Sequence, residues 1–146
     1  MIYIASDHGG FALKSAIIEY LTNQGVEIED IGPHELNPVD DYPDYAIPLA
    51  NKVRESSENR GIVLCRNGVG MCITVNKIPD IRCALSWNTA HAISSRRDDN
   101  TNVLALPADY ITQEEAENTT IKWLNTEFSN DIRHLRRLKK VKDLEK

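Results

Sequence analysis

Short apolar runs alternate along the chain with longer stretches in which apolar residues recur at helical spacing. The runs predict five strands, at residues 1–5, 26–31, 61–65, 82–86 and 102–106. The longer stretches predict helices at residues 11–23, from 43 onwards, at 70–77, 89–97 and 113–127, and from 131 onwards. This alternation favours one α/β domain over residues 1–146, with a five-stranded parallel sheet, helices on both of its faces and a basic helix at the C-terminal end.

Sheets of this kind bind their ligands beyond the carboxyl ends of the strands. This rule selects three loops: residues 6–10, residues 65–70 and the region around Pro107. The turn at residues 96–101, before the fifth strand, is also rich in polar and charged side chains. We therefore expect the functional residues in these places.

Composition and charge exclude several classes of protein. With 41% hydrophobic and 27% charged residues, a chain of 146 residues is globular and long enough to bury a core. The formal net charge of -5 argues against nucleic acid as the main partner, because duplex binding needs a basic surface. No apolar run approaches membrane-spanning length, and residues 1–5 lead directly into polar residues, so we expect neither a membrane span nor a signal peptide.

The cysteines bear on the compartment and on metal binding. Cys65, Cys72 and Cys83 are odd in number and form no CxxC pair. This spacing disfavours both a disulfide framework and a thiolate zinc site. We expect a protein of the reducing cytoplasm, in which Cys72 and Cys83 are core residues of a helix and a strand.

Cys65 ends an apolar strand and opens the glycine-containing turn of residues 65–70. Gly68 and Gly70 allow backbone N–H groups to approach a ligand closely, and the start of the following helix stabilises negative charge. The turn matches neither a Walker loop nor a dinucleotide-binding fingerprint, which favours a small ligand. Its position alone fits a buried structural thiol equally well.

Two further constellations follow strand ends or open helices. Asp7 and His8 follow the first strand, where the His can donate to a phosphate or an oxyanion and the Asp can orient sugar hydroxyls or the His ring. The alternative is that Asp7 caps the next helix, and the two roles are compatible. Asp41 and Tyr42 precede Pro43, which alone indicates only a helix start with an Asp cap and a Pro in the first turn.

Two charged groups remain. Asp98 and Asp99 lie in the polar segment 96–102, which is either a solvated loop or the wall of a site where paired carboxylates serve acid–base chemistry. Arg133 and Arg137 are four residues apart and therefore share a helix face. Such a pair binds a phosphate through forked hydrogen bonds, or it belongs to a solvated basic face.

Taken in order, these motifs resemble the type B ribose 5-phosphate isomerase family, which includes galactose 6-phosphate and allose 6-phosphate isomerases. The resemblance covers nearly the whole chain, and the ordered set is specific although each piece alone is common. The motifs are Ser-Asp-His-Gly-Gly at 6–10, Asp-Tyr-Pro at 41–43, Gly-Ile-Val-Leu-Cys at 61–65, Gly-Val-Gly-Met at 68–71, Asn-Lys at 76–77, Arg-Cys-Ala at 82–84, Asn-Thr-Asn-Val-Leu-Ala at 100–105, and Arg-His at 133–134 with Arg137.

The resemblance implies a Rossmann-like homodimer with active sites between its subunits; whether dimers pair into tetramers stays open. It implies interconversion of an aldose phosphate and a ketose phosphate through an enediolate, without metal or cofactor. Cys65 takes the place of the base, and Asp98 that of the residue that opens the sugar ring. Backbone N–H groups of residues 67–70 form the oxyanion hole. The implied substrate contacts are Asp7, His8, Asp41, Tyr42, Arg66, Asn67, Gly68, Val69, Gly70, Asp99, Arg133 and Arg137, the last two as phosphate ligands.

The chain departs from the family pattern in three places. Arg66 and Asn67 follow the cysteine, where the family often has Gly and then Ser or Thr. Asp98 and Asp99 stand where the family typically has His-Asn, and Asp109 replaces an Arg that often contacts phosphate. These changes affect the identity of the substrate more than the fold or the type of reaction.

The leading prediction is an enzyme that interconverts ribose 5-phosphate and ribulose 5-phosphate. Two alternatives stay open on the sequence alone. One is an isomerase of another pentose or hexose phosphate. The other is a non-catalytic sugar-phosphate binding protein on the same scaffold.

Overall fold

Five parallel strands form the centre of the computed structural model, which describes residues 1–145. The strands are β1 (Ile2–Ser6), β2 (Ile28–Gly32), β3 (Arg60–Cys65), β4 (Cys83–Leu85) and β5 (Val103–Pro107). They lie in the order β2-β1-β3-β5-β4, and every neighbouring pair is parallel. The predicted five-stranded parallel sheet is confirmed.

Helices cover both faces of this sheet, as predicted. They are α1 (Phe11–Asn23), α2 (Pro43–Arg54), α3 (Val69–Asn76), α4 (Thr89–Asp99), α5 (Gln113–Leu124) and the basic α6 (Ile132–Lys142), with a short 3-10 turn at His8–Gly10. Helices α2 and α3 pack on one face, α1, α4 and α5 pack on the other, and α6 contacts α4. Within residues 1–145, none of these helices is both long and apolar enough to cross a membrane. The result is the Rossmann-like α/β architecture that the resemblance implies.

Alternate residues of each central strand enter different cores, because successive side chains of a strand point to opposite faces. In β3, Ile62 and Leu64 pack with α1 and α5, whereas Val63 and Cys65 pack with α2 and α3. All four side chains are buried. The thiol of Cys65 therefore points to the side of the sheet that carries α2 and α3.

Strand β2 begins two residues later than predicted, because the chain first has to end α1. Gly25 adopts a left-handed conformation with φ of 77°, and the N–H of Val26 donates to the Leu21 carbonyl at 3.0 Å. This arrangement is a standard way to satisfy the last carbonyls of a helix. The N–H of Val26 is therefore bonded to the end of α1, and the strand begins only at Ile28.

Helix α4 continues to Asp99, two residues beyond its predicted end. It stops at Asn100, whose φ of 47° is left-handed. The buried Arg96 guanidinium holds this end, since it donates to the side chain of Asn100 and to the Thr101 carbonyl. Asp98 and Asp99 consequently belong to the last turn of a helix and not to a loop. Helix α5 ends at Leu124, before the predicted limit of residue 127.

Candidate active site

The ends of three strands meet at the carboxyl edge of the sheet, as the sequence predicts. Ser6 is in register with Leu64, and Cys65 with Pro107. The N–H of Asp7 donates to the Leu64 carbonyl at 3.2 Å, which ties the end of β1 to β3. The three predicted loops therefore form one surface.

Cys65 lies at the centre of this edge and is 4% exposed. Its Sγ is 3.9 Å from Oδ1 of Asn67. The chain then turns at Gly68, whose φ is 73°, and enters α3 at Val69. The thiol is thus close to the start of a helix, where backbone N–H groups and the helix dipole stabilise negative charge.

The backbone N–H groups of this turn are partly committed. The N–H of Val69 donates to Oδ1 of Asn67 at 3.0 Å. Among the described residues, the N–H groups of Asn67, Gly68 and Gly70 have no hydrogen-bond acceptor. Three of the four N–H groups of the predicted oxyanion hole are therefore available to a ligand, and the fourth is held by the turn itself.

The two glycines of the turn are needed for packing as well as for access. A Cβ atom at Gly70 would lie 2.6 Å from the Tyr42 ring, and one at Gly68 would lie 2.5 Å from Cδ1 of Leu85. Tyr42 comes from the start of α2, so this contact brings the second predicted motif onto the turn after Cys65. The space that the missing side chains of these glycines leave open is occupied in part by Tyr42 and Leu85.

Asp7 and His8 lie beside the same turn. Asp7 is buried and caps the 3-10 turn, accepting the N–H of Gly10 at 3.1 Å, so the predicted capping role is confirmed. A Cβ at Gly9 would lie 2.4 Å from Cγ of Arg66, which shows how tightly the two loops pack. The His8 side chain is 27% exposed and is the more accessible of the pair.

Asp41 does not cap α2, contrary to the simplest interpretation of its motif. The N-cap residue is Tyr42, which makes no side-chain capping bond, while Pro43 occupies the first turn as predicted. Asp41 is exposed. Its carboxylate is therefore free to serve a ligand, which keeps the predicted substrate contact open.

Asp40 is a site residue that the sequence prediction missed. Its Oδ1 accepts the backbone N–H of His8 at 3.0 Å and lies 2.7 Å from Nδ1 of the same residue, although 32 residues separate the two in the chain. The only signal was the adjacent pair Asp40-Asp41, and the sequence did not indicate that the side chain of the first is buried. Ligand atoms of Asp7, His8 and Asp40 lie within 4.8 Å of one another, so these three residues are also where a cation would fit.

Arg66 pairs with Asp109 across the site, with 3.4 Å between Nη1 and Oδ2. The N–H of Asp109 also donates to the Arg66 carbonyl at 2.9 Å. Two of the departures from the family pattern thus compensate each other in charge. Both side chains are largely exposed, so this pair contributes little to stability.

Asp98, Asp99, Arg133 and Arg137 lie at the opposite, amino edge of the sheet. Helix α4 leaves β4 at the carboxyl edge and ends just before β5 begins, which carries its last turn to the amino edge. Hydrogen bonds from Arg97, at 2.8 and 3.3 Å, hold the pKa of the Asp98 carboxyl below its usual range, and the nearby charges of His134 and Arg133 act in the same direction.

Helix α6 lies along this amino edge. The N–H of Ser129 donates to the Arg97 carbonyl at 3.0 Å, and Lys142 at the other end of α6 pairs with Asp80 in the turn before β4. Arg133 and Arg137 are exposed and one helical turn apart, which confirms the predicted shared helix face. Their role as phosphate ligands stays a prediction.

A single chain does not bring the two groups of predicted residues together. The six residues of β3 alone span roughly 17 Å between the two edges. Cys65 is at one end of that strand, whereas Asp98 and Arg133 lie beyond the other. The sequence predicts one site for these residues, but within one chain they form two separate clusters.

Cys72 and Cys83 are half-buried at the margin of a core and not inside it. Hydrogen bonding with Cys83 is the main cause that lowers the pKa of the Cys72 thiol to about 7, and hydrogen bonds from Leu85 and Asn76 act in the same direction. Burial raises the pKa of Cys83. All three cysteines are free.

Comparisons with known proteins agree on one family. The model of the Ribose/Galactose Isomerase family matches residues 2–141. The chain is 40% identical to the probable ribose-5-phosphate isomerase B of Mycoplasma pneumoniae, over 96% of this chain and 91% of the relative. It is 38% identical to the D-erythrulose-4-phosphate isomerase of Pectobacterium atrosepticum, over 87% and 84%.

A solved structure gives the same result for the fold. The crystal structure of ribose-5-phosphate isomerase B from Mycoplasma genitalium with bound ribulose-5-phosphate superposes with a TM-score of 0.95. That protein is 37% identical in sequence, and the match covers 99% of this chain and 95% of the other.

Proposed function

The chain belongs to the Ribose/Galactose Isomerase family, and we propose that its reaction is the interconversion of ribose 5-phosphate and ribulose 5-phosphate. Membership makes it an enzyme, an aldose–ketose sugar-phosphate isomerase, rather than a protein that only binds sugars. The observation that carries the proposal is the position of Cys65 in the same turn as three backbone N–H groups that have no acceptor within residues 1–145.

In the proposed reaction, Cys65 transfers one proton between two carbons. As a thiolate, Sγ removes the proton from C2 of the open-chain aldose, and the electron pair forms the C1–C2 double bond of an enediolate. The thiol then returns the proton to C1, while a second proton moves from O2 to O1, which leaves the carbonyl at C2. The steps need no metal or cofactor, because the charge that develops on oxygen is stabilised by hydrogen bonds.

The N–H groups of Asn67, Gly68 and Gly70 are the proposed donors to that oxygen. Preorganised N–H donors at developing negative charge are among the strongest contributions to such catalysis. Asp7, His8, Asp41 and Tyr42 surround the same edge and are proposed to hold the sugar hydroxyls.

We propose that a second chain completes the site in a homodimer. A phosphate bound by Arg133 and Arg137 of the same chain would lie beyond the far end of β3 from Cys65. Two chains related by a two-fold axis can place the amino edge of each against the carboxyl edge of the other. Each active site would then take Cys65 from one chain, and Asp98, Asp99 and the two arginines from its partner.

The test of the base is the isomerisation rate of Cys65→Ala. We expect kcat for ribose 5-phosphate to fall at least ~100-fold, the lower end of what an acid–base group contributes. Cys83→Ala is the control, because it removes a different thiol, a half-buried one away from Cys65, and should keep the wild-type rate. A Cys65→Ala enzyme with wild-type kcat would show that another group is the base.

A second candidate is isomerisation of a shorter sugar phosphate. The favouring observation is that Arg97 holds Asp98 as a carboxylate, which accepts hydrogen bonds and does not donate a proton to open a ring. A four-carbon sugar with its phosphate on O4 has no such ring, because the oxygen needed for closure is esterified. The similarity to a D-erythrulose-4-phosphate isomerase is consistent with this substrate class.

A panel of sugar phosphates with four, five and six carbons separates the candidates. If ribose 5-phosphate gives the highest kcat/KM, the first proposal stands. If erythrulose 4-phosphate is preferred, the second replaces it. A six-carbon preference would overturn both.

We expect the enzyme to act in the cytoplasm. The support is chemical: the three cysteines are free, and a reducing compartment keeps thiols in the form that the proposed base requires.

A further inference from the structure

The side chain of Asp40 is buried where an exposed loop meets the site. Its side chain is only 3% exposed, whereas the loop residues before it, 34–39, are exposed. A carboxylate is rarely buried unless hydrogen bonds or opposite charges compensate for the lost hydration. The compensation here comes from His8, because Oδ1 accepts the backbone N–H of that residue and lies 2.7 Å from its ring Nδ1.

The loop that carries Asp40 is anchored at its start. Nζ of the fully buried Lys14 donates to Asp30 at 2.7 Å and to the Pro33 carbonyl at 2.6 Å. The next helix, α2, begins three residues after Asp40 and packs on the sheet. The position of this carboxylate is therefore fixed from both sides.

The two bonds to one oxygen decide the tautomer of His8. The backbone N–H can only donate, so Oδ1 of Asp40 is an acceptor, and the ring Nδ1 that also contacts it carries a hydrogen. In the neutral ring the lone pair is then on Nε2, the nitrogen that Asp40 does not hold. A carboxylate that orients an imidazole in this way is a recurrent arrangement in enzyme and metal sites.

We propose that Asp40 is a positioning residue: it holds the His8 ring with the hydrogen on Nδ1 and presents Nε2 to an oxygen of the sugar phosphate. This inference rests on the proposed isomerase function for the identity of the ligand, but the tautomer does not depend on it. Asp40 itself touches no ligand in this account and acts only through His8.

The remaining oxygen of Asp40 supports this assignment. Oδ2 is buried and has no hydrogen-bond partner within residues 1–145. Desolvation, followed by the charge of the Asp40 carboxylate, raises the pKa of the Tyr45 hydroxyl. Both hydrogen bonds of this carboxylate therefore go to His8, and the shorter of the two is the one to the ring.

Nitrogen NMR of the free enzyme tests the tautomer without any substrate. Long-range ¹H–¹⁵N correlation spectra of the neutral ring should show the hydrogen of His8 on Nδ1. In Asp40→Ala the hydrogen should move to Nε2, the usual preference of a neutral imidazole in water. A wild-type spectrum with the hydrogen on Nε2 would overturn the inference.

A double-mutant cycle tests the coupling on the best substrate of the panel. We expect Asp40→Ala and His8→Ala each to lower kcat/KM by about 10–100-fold, the usual cost of losing an orienting partner. The double variant should be no slower than His8→Ala alone, because Asp40 acts only through that ring. Effects that multiply would overturn the positioning role, since they would show that Asp40 contributes independently.

Two controls keep these outcomes distinct. Asp44→Asn removes an exposed carboxylate from the first turn of α2 and should leave both the His8 spectrum and kcat/KM unchanged. Asp40→Leu has a similar size and no acceptor oxygen, so it replaces Asp40→Ala if that variant does not fold, with the same shift of the hydrogen expected. If the wild-type enzyme turns over no sugar phosphate, the proposed function fails, while the spectrum still decides the tautomer.

Discussion

Gly68 meets two constraints, one from its own backbone and one from its neighbours. Its φ of 73° is left-handed, and a Cβ there would lie 2.5 Å from Leu85 and 3.1 Å from the carbonyl carbon of Leu106. Gly25 shares the first constraint alone, since its φ is 77° and nothing lies within 4 Å of a Cβ. A substitution at Gly25 therefore measures backbone strain alone, whereas one at Gly68 measures backbone strain together with overpacking.

We predict that Gly68→Ala destabilises the protein more than Gly25→Ala. Both substitutions incur the left-handed strain of about 1–2 kcal/mol. Gly68→Ala should cost about 1–3 kcal/mol more, because its methyl group overpacks against the ends of two strands. Urea unfolding of the two variants measures the difference. Equal free energies of unfolding would mean that the turn relaxes away from Leu85 and Leu106.

Single residues of the site differed in how far the sequence could predict them. Asp7 and Cys65 were located correctly, because strand ends in a parallel sheet occupy one edge and the motifs mark those ends. Asp40 was missed, because its role depends on burial and on a contact with His8 across 32 residues. Neither property has a local sequence signal.

At the scale of elements, a buried hydroxyl joins α4 and α5. Thr101 Oγ1 accepts the indole N–H of Trp123 at 2.9 Å and lies 3.2 Å from Oγ of Ser95. Trp123 is among the largest fully buried side chains. The indole of α5 is thus hydrogen-bonded to an acceptor in the segment between α4 and β5.

We predict that Thr101→Val destabilises the protein by about 1–3 kcal/mol, the cost of leaving the buried Trp123 N–H without an acceptor. Valine has nearly the same shape, so packing changes little. Thr126→Val is the control, because that hydroxyl is exposed and water replaces its bond, and it should cost at most about 0.5 kcal/mol. Thermal or urea unfolding measures both variants. Similar small losses would show that the hydroxyl of Thr101 is not required.

The order and type of the elements could be predicted from the hydrophobic period, but their ends could not. The strand and helix periods differ, so each of the eleven predicted elements is present in the structure. The observed ends differ from the predicted ones where hydrogen bonds, which the hydrophobic period does not reveal, determine where an element stops. Val26 caps α1 instead of opening β2, and Arg96 extends α4 until it includes Asp98 and Asp99.

At the scale of the whole molecule, the sheet separates the predicted site into two clusters. Cys65, Asp7 and His8 lie at the carboxyl edge, while Asp98 and Arg133 lie at the amino edge. The sequence predicts one site for these residues from their residue types and from the resemblance to the family. Neither kind of information gives the distance between two residues of one chain. A shared site between two chains reconciles the grouping with the geometry.

The most direct test of this account is complementation between two inactive variants, Cys65→Ala and the double variant Arg133→Ala/Arg137→Ala. Each variant alone should be nearly inactive, because every site in it lacks one group. When equal amounts are unfolded and refolded together, half of the dimers carry one chain of each kind, and one of their two sites is intact. We predict recovery of about a quarter of wild-type activity on ribose 5-phosphate, from random pairing in a two-fold dimer. A mixture that stays as inactive as its parents, although mixed dimers have formed, would contradict a site built from the two edges of different chains.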